Sequence, residues 1–265
     1  IVKNCHSVGH AKMPWQRISP NEYGDWISQR SNLFGTFIPL GDKDEKPNIG
    51  FFNPLYSRGL ASARDSWCYN SSINHLQSNI QRTIEFYNQQ RIAYHQAKRK
   101  HPGMQVDGFV SYDSKQISWN RGFKQDLERG KEFRFNEDSV RLSLYRPFFK
   151  QYAYFSRDLN DMVYQLPKLF PLPKIENIVI CVSATNEGLA ALASNHIPDL
   201  HFNGDTQCFP LYYYEEREKQ NPTLFDSAGE SEYIRRDGVS DFILEQAQKR
   251  YGKNVSKEDI FYYVY

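Results

Sequence analysis

The chain of 265 residues contains no apolar run approaching the roughly 20 residues that span a bilayer, so a membrane-spanning helix is not expected. Cysteine is scarce. Cys5, Cys68, Cys181 and Cys208 are scattered with no C-x-x-C pair, which argues against a disulfide scaffold and makes a reduced, cytoplasmic protein the expectation. A P-loop, a dinucleotide fingerprint and a G-x-S-x-G elbow are all missing, which removes support for NTPase, Rossmann and nucleophilic hydrolase readings. Cys5, His6 and His10 lack a fourth zinc ligand nearby, and His196 and His201 lie far along the chain, so no metal site is expected. No internal repeat or low-complexity tract occurs. Ile1 opens without a basic n-region or an initiator Met, and the expectation is a fragment with no signal peptide.

What is present describes a folded globular protein: 40% of residues are hydrophobic and 24% charged. A net charge of +2 is only mildly basic, so any affinity for nucleic acid must come from a local face. Residues 140–157 supply a candidate. They hold Arg141, Arg146, Lys150 and Arg157, six aromatic residues and no Asp or Glu. Cations favour phosphate through counterion release, and Tyr145, Phe148, Phe149, Tyr152, Tyr154 and Phe155 can stack on bases. The competing reading is a buried aromatic strand pair with snorkelling Arg and Lys.

Periodicity predicts a mixed α/β (α+β) fold with mixed sheets and packed helices. Ile73, Leu76, Ile80, Ile84, Tyr87, Arg91 and Tyr94 recur at helical spacing behind a Ser71 or Ser72 cap, ending in the cationic run at 98–101. Residues 124–129 read as a short helix closed by Gly130, 140–145 as a strand running into Pro147, and 178–182 as a buried strand. Residues 207–214 read as one further strand. Residues 1–55, rich in proline, should form loops and short strands. These assignments divide the chain into a core at 1–214, an acidic loop or linker at 215–238 with seven acids against four bases up to Asp237, and a helical segment at 239–265. Within that segment Val239, Phe242, Ile243 and Ala247 share a face, and Ser256 with Asp259 forms a capping box for a last helix cut off at Tyr265.

Two strings suggest catalysis and are set aside. Asn53-Pro54-Leu55-Tyr56 is close to the turn of amino methyltransferases, but its third residue is Leu and no Gly-rich methyl-donor loop precedes it. Asp107 with Asp113-Ser114-Lys115 echoes a metal-dependent nuclease, but the spacing is tight, and a turn between Phe109 and Ile117 explains the residues better. A third string points elsewhere. Around Gly59, residues 56–70 place Arg58, Arg64 and Asn70 with aromatics in what reads as an exposed bend; Arg can bridge guanine and Asn adenine. Its alternative is a surface pair of Arg64 with Asp65 beside a buried Trp67.

In order, these segments resemble the C-terminal part of type ISP restriction-modification enzymes. The resemblance covers most of the chain and rests, besides the Arg58 and Arg64 strings, on Ser118-Trp119, Lys124-Gln125-Asp126-Leu127, Ser143-Leu144-Tyr145-Arg146-Pro147-Phe148, Val163-Tyr164-Gln165, Ile197-Pro198-Asp199-Leu200-His201 and the string from Gln207 to Tyr214. It implies a target recognition domain, with nuclease, translocase and adenine methyltransferase regions upstream in the same polypeptide. S-adenosylmethionine, ATP and Mg would serve those regions, and this chain alone would have no catalytic residue and no cofactor. Its partners would be double-stranded DNA and the upstream domains. Side-chain chemistry nominates Arg58, Arg64 and Asn70 for base edges and Lys124, Arg141, Arg146 and Lys150 for phosphates. A degenerate methyltransferase or nuclease fragment and a protein-interaction coupler are the alternatives.

Overall fold

The computed structural model describes residues 17–27, 29–41, 50–53, 55–185, 188–202, 204–217 and 232–264. The chain divides into two units, Ile1–Ile38 and Pro39–Tyr265. In the first, the described residues contain a 3-10 turn at Phe34–Thr36 and no strand, so the strands expected there are not found among them. Arg30 pairs with Asp25 at 2.7 Å and lies over the rings of Tyr23 and Phe34, which ties this short segment together.

The second unit runs β1 (Ser57–Arg58), α1 (Asp65–Cys68), β2 (Tyr69–Asn70), α2 (Ile73–Lys100), α3 (Arg121–Glu128), β3 (Val140–Arg146), β4 (Phe149–Tyr154), α4 (Leu166–Leu169), β5 (Val179–Thr185), β6 (Gly188–Ser194), β7 (Ile197–Pro198), β8 (Gln207–Pro210), β9 (Tyr212–Glu216), β10 (Tyr233–Asp237), α5 (Asp241–Tyr251) and α6 (Lys257–Val264). Among the described residues three sheets form, ordered β1-β8-β5-β6, β2-β4-β3-β7 and β10-β9; of their strand pairs β3 with β7 is the parallel one, and an isolated parallel bridge joins Leu60 to Asp199. The mixed α/β expectation holds.

Local chemistry sets the helix ends. The Ser72 hydroxyl accepts the amide of His75 to start α2, and Leu76, Ile80, Ile84, Tyr87 and Tyr94 bury the face that the spacing predicted. Tyr87 stacks on Phe133 at 3.9 Å between centroids, tying α2 to the loop before β3. Helix α3 begins earlier than expected because Asn120 caps it, accepting the Phe123 amide, and Gly130 at φ +75° follows its end.

The sheet of β5 and β8 has a core on each face. Val179, Cys181 and Cys208 join the larger core with α2 and α3, whereas Ile180 and Phe209 join a second core with Phe52, Leu211, Val239, Ile243, Ile260 and Phe261. A strand buried on both sides reads as a continuous apolar run, which is why 178–182 was legible. Two boundaries are corrected. Residues 207–214 form two strands, because Leu211 leaves the ladder to donate to the Ile178 carbonyl and β9 then pairs with β10. The 215–238 linker also fails at both ends: β10 lies inside it, paired from Tyr233↔Glu216 to Asp237↔Tyr212, and α5 and α6 help build the second core. Residues 218–231, within that stretch, lie outside the described residues.

Candidate nucleic-acid interface

The stretch without acids forms the hairpin β3–β4, paired from Val140↔Tyr154 to Arg146↔Phe149. A strand lying flat on a core alternates buried and exposed residues. β4 instead shows a gradient: Ala153 and Tyr154 are buried, Gln151 and Tyr152 half-buried, Phe149 and Lys150 exposed. The hairpin therefore runs out of the core into solvent. Its inner half is the buried aromatic pair and its outer half an exposed tip, so each of the two readings of this stretch describes one end of it.

The seven nominated residues meet different fates. Arg64 is 5% exposed, donates to the Leu159 carbonyl and lies 4.1 Å over the Phe123 ring, so it offers no edge to a base. The surface pair with Asp65 is equally absent: burial lowers the Arg64 pKa, and Asp65 instead faces Arg146 and the hydroxyl of Tyr145. Arg141 donates to the Phe170 and Leu172 carbonyls, the latter at 3.0 Å, and burial lowers its pKa as well; it ties β3 to the segment after α4 rather than facing phosphate. Asn70 accepts the Ser72 amide at 2.8 Å and shapes the entry to α2. Lys124 pairs with Asp107 and lies 5.1 Å over Tyr112, which raises its own pKa and lowers that of Asp107. Arg58 pairs with Asp205 and lies 5.8 Å over Tyr164. Lys150 is exposed, with no ion pair among the described residues.

Two acids organise this region: Asp199, which sequence reasoning missed, and Asp65, which it paired with Arg64 rather than Arg146. Asp199 accepts from Arg146 at 2.7 Å, and Asp65 stands 3.7 Å from the same guanidinium, which also covers the Tyr145 ring at 4.0 Å. Asp199 is buried, which raises its carboxyl above the ordinary range, while the His201 amide and Arg146 oppose the rise. The loop from Asp199 to Asp205 thus anchors two nominated arginines, Arg146 at its start and Arg58 at its end. Its path depends on Gly59, which is no exposed bend. A Cβ there would meet the Asp199 carbonyl oxygen at 2.5 Å, so the absence of a side chain lets two backbones touch. Among the described residues, the non-glycine positions with positive φ are Ala63, Phe148 and Tyr164, at 52°, 62° and 46°. They adjoin Arg64, belong to the hairpin tip and face Arg58, respectively, so unfavourable backbone gathers around this region.

The other strings resolve simply. Asp113 accepts the Lys115 amide at 2.9 Å in the turn expected there. Pro54, Cys5, His6 and His10 lie outside the described residues, so the first catalytic string and the zinc candidates are not described as sites. Among the described residues no group of three or more His, Cys, Asp or Glu side chains is placed to hold a metal, and no helix is long and apolar enough to cross a membrane. A groove of about 770 Å³ lies between β10 and α5, where Lys257 pairs with Asp237 and Asp241 and Arg236 with Glu215; none of the seven nominated residues lines it.

Residues 51–265 match the family model of the Type ISP C-terminal specificity domain. The chain belongs to this family. Solved structures agree along nearly the whole specificity domain. The ATP-dependent Type ISP restriction-modification enzyme LlaBIII bound to DNA shares 29% identity at a TM-score of 0.75, covering 94% of this chain and 15% of that one. A cryoEM complex of DrdV with DNA shares 28% identity at a TM-score of 0.75, covering 96% of this chain and 24% of that one. A nuclease-deletion mutant of the Type ISP restriction-modification enzyme LlaGI, in complex with a DNA substrate mimic, shares 26% identity at 0.70, covering 93% and 22%. The specificity domain spans less than a quarter of the length of these relatives. No curated protein matches it.

Proposed function

We propose that this domain binds duplex DNA and selects a short sequence for a methyltransferase in the same polypeptide. The observation that carries this reading is likeness over more than nine-tenths of the chain to three proteins solved with DNA or a DNA mimic. The protruding β3–β4 tip with Lys150 and the loop holding Arg58 and Arg146 form the proposed contact face. Phosphate can replace Asp205 on Arg58 and Asp107 on Lys124, because exposed ion pairs are worth little and exchange readily. Arg146 positions the tip; Arg64 and Arg141 are withdrawn from the interface. Nuclease, translocase and adenine methyltransferase activities, with S-adenosylmethionine, ATP and Mg, belong in this proposal to the longer cytoplasmic polypeptide. Selection of bound duplexes from a random pool tests the reading. The expected outcome is one recurring short sequence and an affinity that falls linearly with log salt. An unenriched pool together with salt-insensitive or absent binding overturns it.

A further inference from the structure

Arg146 and Phe149 are the last paired residues of β3 and β4, so Pro147 and Phe148 alone make the turn. Proline holds φ near −65°, and Phe148 stands at φ +62°. That combination is the type II turn, whose second central position favours Gly or Asn because a Cβ there crowds the backbone. Phenylalanine at this position is 88% exposed and belongs to neither hydrophobic core. Backbone strain and an apolar ring in water both oppose stability, and among the described residues neither core takes up the ring.

The tip is nonetheless held firmly. Arg146, the residue below the turn, is fixed by Asp199 at 2.7 Å, by its neighbour's carbonyl at 2.6 Å and by the Tyr145 ring. The exposed ammonium of Lys150 lies on the other strand, two residues from the ring. A firmly seated finger with the Phe148 ring outermost, the half-exposed Phe149 ring at the strand end beside it and a cation behind them matches a particular partner chemistry. A base stack rewards insertion of the ring, and the flanking phosphates reward the cation. A protein partner would instead be met by a broad, closely packed apolar patch.

We propose that Phe148 is a wedge that enters a base step of duplex DNA and unstacks it, with Lys150 on an adjacent phosphate. This rests on the reading that the domain binds duplex DNA, and the experiment separates the two. The 265-residue chain is mixed with its selected duplex carrying 2-aminopurine at successive positions. Fluorescence should rise at one step, and Phe148→Ala should abolish the rise and weaken binding about 5- to 100-fold with an unchanged salt slope. Lys150→Ala should keep the rise and flatten the slope by about one. Phe148→Gly guards against a folding artefact, since Gly suits the turn: its unfolding midpoint should equal or exceed that of the parent while the fluorescence rise is lost. If the parent chain binds its duplex but no position brightens, or if either Phe148 variant keeps the rise, the wedge is wrong and the recognition reading stands. If the parent chain binds no duplex, both fall.

Discussion

Cations of one formal charge take three roles here because solvent reaches them differently. The Arg64 guanidinium sits under a carbonyl and a phenyl ring, Arg146 is pinned between two acids at the base of the tip, and Lys150 faces water. Removing Arg64 should therefore act on folding. Arg64→Ala leaves a cavity and an unpaired carbonyl, and urea titration should show a loss of about 3 kcal/mol while the ratio of cognate to scrambled affinity in the folded fraction is unchanged. A lost preference at one base pair with normal stability would return Arg64 to the interface. Lys150→Ala should do the reverse, with stability within about 0.5 kcal/mol of the parent and duplex affinity lowered equally for all sequences. Isothermal titration beside a melt distinguishes the two classes.

At the level of elements, two close approaches and one cap decide how segments meet. Gly59→Ala would drive a Cβ into the Asp199 backbone, 2.5 Å away, and push out the loop that anchors Arg58 and Arg146. The expected outcome is a destabilisation of about 3 kcal/mol or more together with weakened duplex binding, measured by melting and fluorescence anisotropy. Gly238 allows even less: its Cβ would stand 1.9 Å from the Pro210 carbonyl oxygen, where β10 hands the chain to α5. Helix α6 carries a pH signature. The Ser256 hydroxyl and amide bond to Asp259 and hold its carboxyl below the ordinary value of 3.8. A lowered acid contributes stability that is present above its unfolded pKa and is lost as pH falls through the folded one. The melting midpoints of the parent and of Ser256→Ala should therefore differ most at neutral pH, and the difference should narrow as pH falls below about 3.8, leaving the part due to the Asp259 amide bond to the Ser256 hydroxyl. A constant difference across that window would show that Asp259 does not titrate through this cap.

For the whole molecule, the decisive fact is that the sheet of β5 and β8 is covered on both faces. Ile180 and Phe209 look toward Val239, Ile243, Ile260 and Phe261, so α5 and α6 are one wall of the domain rather than an appendage. Truncation after residue 238 should uncover that face. Burial of several large apolar side chains, each worth about 1.5–3 kcal/mol, exceeds the margin of a typical domain. The truncated chain should lose cooperative unfolding and bind a hydrophobic dye; a sharp melt close to the parent's would show the helices to be dispensable. Family membership agrees with this, since the matched region runs through both helices to residue 265.

Local pattern determined what depends on neighbours in sequence. The face of α2, its Ser72 cap, the Ser256–Asp259 box and the apolar run of β5 follow from 3.6-residue spacing, side-chain capping and β-branched content, none of which needs a distant partner. Residues 140–157 stood out for the same reason, as did the order of strings that resembles type ISP enzymes. Distant pairing decided the rest. The strand β10 lies in an acidic stretch with no apolar run and exists because β9 offers a ladder to it. Arg64 looked exposed because a neighbouring Asp65 suggested a surface pair, whereas Leu159 and Phe123, far along the chain, enclose it. Nothing in its neighbours marks Asp199 as a partner, yet the fold delivers it to Arg146 at the base of the tip. Charge and ring content can be counted along a chain, but which of those groups reaches solvent is fixed only when strands and loops far apart in sequence close around them.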